Sequence, residues 1–308
     1  MPATESANEL IEKLNTISNL AIFTEVPLKH YTSFQVGGPA DILIVPSTIR
    51  ALQKSLEIIN HYSRDIPLFI MGKGSNIIPA DRGFRGLIIH TIKLTGVQIR
   101  GKQITANSGI TLKQLATRAL EEGLAGLEFA AGIPGTLGGA LYMNAGAYGS
   151  EIKDLITEAE LLDYQGHSHR LSVSELKLSY RHSLLQEKPL IATSITLKLK
   201  PGDPETIRAR SRELNQKRRA RQPLQWPSAG SAFKRPDGYY AGALIEKAGL
   251  KGTRVGNAQV SSKHAGFIIN RGGATATDIR NLIRKIQDRV YKTTGIRLEP
   301  EPRFIGDF

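Results

Sequence analysis

The chain has 308 residues, a formal net charge of +13 and an ordinary globular composition, with 40% hydrophobic residues. Its lack of cysteine excludes disulfides, thiolate nucleophiles, iron–sulfur clusters and cysteine-ligated zinc. No apolar run approaches the roughly eighteen residues of a membrane span, and the amino terminus lacks the basic-then-apolar order of a signal peptide. We therefore expect a cytoplasmic protein of roughly two or three domains, without membrane insertion.

Hydrophobic periodicity predicts alternating helices and strands in the first two thirds of the chain. Ser6 and Glu9 fit a capping box for a first helix. A strand at 41–47, a helix at 47–60 and a strand at 66–72 then fit a βαβ unit. Further strands are predicted at 86–92, 97–101, 103–109, 158–166, 169–173 and 189–200, and further helices at 111–122 and from Pro204.

The last third of the chain predicts a smaller domain of its own. The proline-rich segment RQPLQWPS at 221–228 is the expected seam. Beyond it, GFIIN at 266–270 predicts a strand, and an apolar face from Thr277 predicts a helix that Gly295 ends.

The basic charge favours anionic partners. Its densest cluster is KRRARQP at 217–223, at the end of the helix predicted from Pro204. Nucleic-acid binding would need interleaved aromatic residues or a recognisable motif, and the sequence has neither, so we expect no nucleic-acid partner. The cluster fits either a solvated helix end, where cations favour the helix dipole, or a site for a phosphorylated ligand. Of the scattered histidines only His167 and His169 lie close, and we expect no metal site.

Two glycine-rich segments carry the strongest functional signal. Residues 130–149, AAGIPGTLGGALYMNAGAYG, contain six glycines and no charge, but their apolar side chains argue against a flexible linker. MGKGSNI at 71–77 directly follows a predicted strand. It is no Rossmann fingerprint, because Ile77 stands where the third glycine belongs, and an ordinary tight turn is the alternative. Both segments could present backbone N–H groups to an anion, so we predict one extended dinucleotide lying across both.

Seven motifs follow one another along the chain: TSFQVGGPAD (32–41), MGKGSNIIPADRGFRG (71–86), LEFAAGIPGTLGGALYMNAGAYGSEI (127–152), YRHS (180–183), AGSAFKRP (229–236), AGALIEKAGLKG (241–252) and LEPEPRFIG (298–306). In order and spacing they resemble the UDP-N-acetylenolpyruvoylglucosamine reductases, flavoenzymes of peptidoglycan precursor synthesis. The short stretch between YRHS and AGSAF resembles the shorter subclass of that family.

The resemblance implies an α+β fold, with FAD-binding domains of the vanillyl-alcohol-oxidase kind and a smaller α+β substrate domain. The expected bounds are 1–90 and 91–221 for two FAD-binding subdomains, 222–297 for the substrate domain and 298–308 for a segment that returns to the active site. The implied reaction is the NADPH-dependent conversion of UDP-N-acetylglucosamine enolpyruvate to UDP-N-acetylmuramate. FAD and NADPH are the implied cofactors, and we expect a monomer.

The resemblance also assigns the flavin to the two glycine-rich segments. The residues expected to line FAD are Gly72, Lys73, Gly74, Ser75, Asn76, Gly132, Ile133, Pro134, Gly135, Gly138, Gly139, Asn144, Gly146 and Ala147.

Three residues match catalytic positions of the family. Arg181 in YRHS would stabilise the enediolate charge that develops as hydride reaches the enolpyruvyl ether. Ser231 in AGSAF would protonate the carbanion, and Glu301 in LEPEPRF would hold or polarise the substrate carboxylate together with Arg181. Taken singly, these would be a surface arginine, a turn former and a tail carboxylate. Weaker substrate-side candidates are Tyr148, Lys217, Arg221, Lys234, Lys251 and His264.

Two positions depart from the family pattern. Arg235 stands where asparagine is frequent, which bears on a uracil or phosphate contact, and Pro302 stands where valine is usual, which bears on the orientation of Glu301. Two other functions stay open on the sequence. One is a different FAD-dependent oxidoreductase of the same fold, and the other is a basic nucleic-acid-binding protein without a cofactor.

Overall fold

The structure is a computed structural model that describes residues 5–62 and 66–308. The side chain of Ser6 lies outside the described residues, and so does the capping box predicted for it. The helices, numbered in chain order, are α1 Glu5–Asn15, α2 Ile49–Tyr62, α3 Leu112–Glu121, α4 Leu137–Met143, α5 Pro204–Arg221, α6 Ala241–Lys247 and α7 Ala276–Thr294.

The strands are numbered in the same way. They are β1 Leu20–Pro27, β2 Pro39–Pro46, β3 Leu68–Met71, β4 Ile77–Pro79, β5 Phe84–His90, β6 Val97–Arg100, β7 Gln103–Asn107, β8 Leu124–Ala125, β9 Gly146–Ala147, β10 Ser150–Glu151, β11 Ile156–Asp163, β12 Ser168–Ser172, β13 Leu190–Lys198, β14 Lys200–Pro201, β15 Arg254–Val255, β16 Ala258–Val260, β17 Ile268–Asn270 and β18 Arg303–Ile305.

The chain divides into two compact units, each assembled from separate stretches. The first unit comprises Met1–Thr24, Ile42–Lys73 and Gly86–Gln216; the second comprises Glu25–Asp41, Gly74–Arg85 and Lys217–Phe308. These units are not consecutive in sequence, and the division falls inside the turn GKGSN. The bounds proposed above for four consecutive segments stay a prediction.

A four-stranded sheet in the order β1-β2-β5-β3 belongs largely to the first unit. Strand β5 lies between β2 and β3 and runs parallel to β3, so the two strands of the predicted βαβ unit are not neighbours. Helices α1 and α2 bury one apolar face each in a core shared with this sheet, as their periodicity predicts. The buried leucines of these helices are Leu10, Leu14, Leu52 and Leu56.

The second sheet of the first unit is antiparallel, in the order β12-β11-β13-β7-β6. The predicted hairpin is formed by β11 and β12. Helix α3 starts at a capping box, in which Thr111 and Gln114 satisfy each other's backbone N–H groups. Leu137 and Leu141 of α4 are fully buried in the same core as the sheet. The segment 130–149 is therefore anchored and is not a linker.

The second unit contains the three-stranded sheet β15-β16-β17 with α6 and α7. The first turn of α7 is capped twice, by Thr275 and by the carboxylate of Asp81, which accepts hydrogen bonds from the N–H groups of Ala276 and Thr277 at 2.7 and 2.9 Å. Gly295 ends the helix with a φ of 74°, as predicted. Strand β18 pairs in parallel with β4, which brings the C-terminal segment to the strand that follows the turn GKGSN.

Within residues 5–62 and 66–308, no helix has both the length and the apolar character needed to cross a membrane.

Candidate active site

The two glycine-rich segments meet in the first unit. A Cβ atom at Gly72 would lie 2.3 Å from the Oγ1 atom of Thr136, far inside van der Waals contact. Only glycine permits this approach. The turn after β3 and the segment 130–149 therefore pack directly on each other, as the prediction of one ligand lying across both requires.

Helix α4 lies inside the second glycine-rich segment, where the sequence predicted a loop. Thr136 is its N-cap, and its hydroxyl accepts from the N–H of Gly139 at 3.3 Å. The N–H groups of Leu137 and Gly138 donate to backbone carbonyls of the β7–α3 connection at 2.8 Å each. Gly138 and Gly139 thus have no N–H group left for a phosphate, and a cofactor could approach them only because they lack side chains.

Other backbone N–H groups of the two segments have no protein partner. Within the part of the chain that the structure describes, those of Gly132 and Gly135 and those of residues 72–76 donate to no carbonyl or side chain. Successive unpaired N–H groups in a turn bind anions well, because their dipoles converge. Those of residues 72–73, Gly132 and Gly135 lie in the first unit and are the phosphate donors that it can offer.

A buried hydroxyl beside α4 also lacks a partner. The Oγ atom of Ser108 is inaccessible to solvent and makes no hydrogen bond among the described residues. A Cβ atom at Gly138 would lie 2.8 Å from the Cβ of Ser108, so the two backbones touch. An unsatisfied buried hydroxyl costs about 1–3 kcal/mol. It therefore marks a place where a ligand group would complete the hydrogen bonding.

His90, at the end of β5, fixes the start of the turn GKGSN. Its buried ring hydrogen-bonds to the backbone of Gly72, and the neighbouring hydroxyl of Thr91 donates to the carbonyl of Met71 at 3.3 Å. Burial lowers the pKa of His90 to about 4, although the bond to Gly72 opposes the shift. At neutral pH the ring is therefore uncharged. No sequence pattern indicates this role, since His90 stands as the polar end of an apolar strand.

Arg181 lies in a tight turn of the first unit. Ser179 and His182 close the turn through two backbone hydrogen bonds of 3.1 and 3.2 Å, and Arg181 has a left-handed φ of 56°. Its guanidinium carbon lies 5.0 Å from the ring centroid of Tyr180.

The charge of Arg181 acts on the carboxylate of Glu151. Burial raises the pKa of Glu151, but hydrogen bonds from Lys153 and Asn144, together with the charges of Lys153 and Arg181, lower this pKa by more. The carboxylate therefore stays charged.

Asn144, expected to line the flavin, is fully buried and bonded within the protein. Its amide nitrogen donates to the carboxylate of Glu151 at 3.0 Å and to the carbonyl of Ser179 at 2.9 Å. Its amide oxygen accepts from the N–H of Lys153 at 3.2 Å. Because both amide protons are used, this side chain holds the Arg181 turn and has no donor left for a cofactor.

Ser231 and Glu301 come together in the second unit. The N–H of Glu301 donates to the carbonyl of Ala232 at 3.1 Å, and Ser231 forms a bridge with Phe267. The Ser231 side chain is exposed. The side-chain amide of Asn76 donates to the carbonyl of Glu301 at 3.3 Å, so Asn76 contacts the C-terminal segment within the second unit.

Most of the predicted substrate-side cations lie in the second unit. Lys251 pairs with Glu246, and both lie close enough to the half-buried His264 to affect its titration, as does Arg221. Burial, with the charges of Lys251 and Arg221, lowers the pKa of His264. Lys234 forms a separate ion pair with Glu299, and this pairing weakens the attraction of its ammonium group for an anionic ligand.

Four further residues singled out in the sequence lie in both units. Lys217 belongs to the second unit and lies in α5, directly before its last turn. Tyr148 lies in the first unit, where its hydroxyl donates to the carbonyl of Leu214 at 3.0 Å. Arg235 places its guanidinium carbon 3.9 Å from the ring centroid of Tyr240, and Pro302 is buried directly before β18. No three His, Asp or Glu side chains of the described ranges form a group that could hold a metal ion.

Comparisons with known proteins decide the family. Residues 40–172 match the family described as FAD binding domain, and residues 222–305 match that described as UDP-N-acetylenolpyruvoylglucosamine reductase, C-terminal domain. A protein of Caldanaerobacter subterraneus subsp. tengcongensis named UDP-N-acetylenolpyruvoylglucosamine reductase is 46% identical over 98% of this chain and 99% of its own length. The chain belongs to the UDP-N-acetylenolpyruvoylglucosamine reductase family.

Two other members of the UDP-N-acetylenolpyruvoylglucosamine reductase family support this assignment. The protein of that name from Pediococcus pentosaceus is 48% identical over 91% of this chain and 93% of its own. The crystal structure of UDP-N-acetylenolpyruvylglucosamine reductase from Thermus caldophilus superposes with a TM-score of 0.80 at 35% identity, covering 93% of this chain and 99% of that one. The predicted fold class, α+β with a flavin-binding domain, is thereby confirmed.

The matched ranges enclose most of the site. The FAD-binding match contains the turn 72–76 and the segment 130–149, so this chain has an FAD-binding domain where the unpaired N–H groups lie. The C-terminal match contains Ser231 and Glu301, whereas Arg181 lies between the two matches.

His90 makes the stability of the first unit pH-dependent. The folded state binds a proton on His90 only near pH 4, whereas the unfolded chain binds it near 6.5. Stability should therefore fall as the pH decreases from 6.5 to 4, by about 3 kcal/mol in total. His90→Gln keeps an N–H donor but does not titrate. Denaturant unfolding at pH 7 and 4.5 should show a smaller loss for this variant than for the parent, and equal losses would contradict the assignment.

Proposed function

We propose that the chain is an NADPH-dependent FAD enzyme that converts UDP-N-acetylglucosamine enolpyruvate to UDP-N-acetylmuramate in peptidoglycan precursor synthesis. The observation that carries this proposal is the near full-length 46% identity to a reductase of that name. The FAD-binding match over both glycine-rich segments supports it independently.

The first unit suits the cofactor. The N–H groups of residues 72–73, Gly132 and Gly135 would hold the FAD pyrophosphate, and the hydroxyl of Ser108 would gain a partner. The segment 130–149 has no charged side chain to compete for the phosphates or to draw water towards the flavin. When bound, FAD would supply the redox chemistry by which hydride passes from NADPH to the terminal carbon of the enolpyruvyl ether.

Arg181 would stabilise the charge that develops on the substrate. Hydride addition to an enolpyruvyl ether pushes an electron pair into its carboxylate, which becomes an enediolate. A planar guanidinium can hold both oxygens at once, and more strongly as their charge grows. The ring of Tyr180 and the charge of Glu151 limit where this guanidinium can point.

Ser231 would return a proton to the carbanion. Its hydroxyl is exposed and follows Gly230, whose φ of 77° suits a tight bend. A serine hydroxyl is a weak acid, but an enediolate is basic enough to take its proton when the two are held close. Glu301, whose backbone is bonded beside Ser231, would orient the substrate carboxylate.

The basic group of Arg221, Lys251 and His264 in the second unit would hold the substrate diphosphate. We further propose a monomer that works in the cytoplasm, where NADPH and nucleotide sugars are found.

One assay tests the proposed function. The purified protein should be yellow with non-covalent FAD, and it should oxidise NADPH rapidly only when the enolpyruvyl sugar nucleotide is present. Fast NADPH oxidation with oxygen alone would indicate a different FAD oxidoreductase. Colourless protein that cannot be reconstituted with FAD would contradict the proposal and leave the cofactor-free alternative.

Ser231→Ala separates the two half-reactions. We expect FAD binding and flavin reduction by NADPH to be nearly unchanged, because neither needs a proton from this hydroxyl. Flavin reoxidation by the enolpyruvyl substrate should slow by roughly 10²- to 10⁴-fold. Ser231→Cys should recover part of the rate, since a thiol also donates a proton. Stopped-flow absorbance of the flavin measures both steps, and reoxidation of the alanine variant at the parent rate would remove Ser231 from the mechanism.

A further inference from the structure

The turn that carries Arg181 is bonded to the C-terminal end of α4. The side-chain nitrogen of Gln186 donates to the carbonyl of Arg181 at 3.0 Å and to the carbonyl of Tyr142 at 2.8 Å. The hydroxyl of Ser183 donates to the same Tyr142 carbonyl at 2.8 Å. One amide group therefore joins Arg181 to the last turn of the helix in the FAD-binding segment.

Arg181 needs such support because its backbone is in an unfavourable conformation. A non-glycine residue with a φ of 56° costs about 1 kcal/mol or more and persists only where its surroundings hold it. The carbonyl that Gln186 holds belongs to this strained residue itself. Asn144 holds the preceding side of the turn through the carbonyl of Ser179.

We propose that Gln186 is a positioning residue for Arg181. Its side-chain amide donates to the carbonyls of Arg181 and Tyr142. These two bonds set the direction of the Arg181 guanidinium relative to the FAD-binding segment. This inference rests on the proposed function, since it assumes that Arg181 stabilises the charge on the substrate. Misplacing such a group by about 1 Å can cost up to roughly 100-fold in rate.

Gln186 contributes little to the core. Its side chain is exposed, in contrast to the fully buried Ser183 and Asn144. Replacing it leaves no cavity, so a variant should fold normally. Gln186→Met keeps the length and flexibility of the side chain and removes its amide group, including the nitrogen that donates to both carbonyls.

The first experiment measures both half-reactions of Gln186→Met by stopped-flow absorbance. Flavin reduction by NADPH should stay within about 2-fold of the parent, and reoxidation by the enolpyruvyl substrate should slow by roughly 10-fold or more. In an Arg181→Ala background the same change should have an effect of less than about 2-fold, because there is no guanidinium left to position. Gln53→Met is the matched control: Gln53 also donates to a carbonyl, that of Gly166 at 3.0 Å, and its loss should not affect reoxidation.

Hydrogen exchange gives a second readout that does not depend on turnover. The N–H of His182 closes the Arg181 turn, so it should exchange faster in Gln186→Met and at the parent rate in Gln53→Met. Unchanged exchange together with unchanged reoxidation would overturn the inference. So would a loss of equal size in the parent and Arg181→Ala backgrounds, since Gln186 would then act without Arg181. A parent protein that never reduces the enolpyruvyl substrate would instead refute the proposed function.

Discussion

The close approach of Gly72 to Thr136 is the constraint on which the site depends. The same hydroxyl that touches Gly72 also caps α4, so one side chain both starts the helix and fixes the turn against it. His90 holds the turn from the other side as a neutral ring. Because the N–H groups at the start of α4 are satisfied within the protein, those of residues 72–73, Gly132 and Gly135 are left for an anion in the first unit.

Charge is distributed unevenly over the proposed reaction groups. The FAD-binding segment 130–149 is uncharged, which suits a flavin that must be kept from water while backbone dipoles meet its phosphates. Arg181 is the guanidinium proposed to meet the growing enediolate, and its turn is held by neutral amide and hydroxyl groups. The charges of Arg181 and Glu151 also act on each other, and the ion pairs of Lys234 and Lys251 partly neutralise those two cations.

Elements with regular periodicity could be predicted from the sequence, and contacts between distant residues could not. Helix α7 and its end at Gly295 follow from an apolar face and a glycine C-cap. Helix α4 was missed because Gly138 and Gly139 are poor helix formers, although Thr136 is of a residue type preferred at an N-cap. The parallel pairing of β18 with β4, and the bonds from His90 and Gln186 to distant carbonyls, have no local signal. Neither does the left-handed conformation of Arg181.

The most direct test of the account is the FAD dissociation constant of four proteins: the parent, Gly72→Ala, Thr136→Ala and the double variant. A methyl group at residue 72 would collide with the Oγ1 atom of Thr136, the other atoms of that side chain being at least 3.4 Å away. Gly72→Ala should therefore weaken FAD binding by forcing the two segments apart. Thr136→Ala should lose only an N-cap, worth about 1 kcal/mol. The account predicts that the double variant binds FAD more tightly than Gly72→Ala alone. Parent-like affinity in Gly72→Ala, or two losses that simply add, would contradict it.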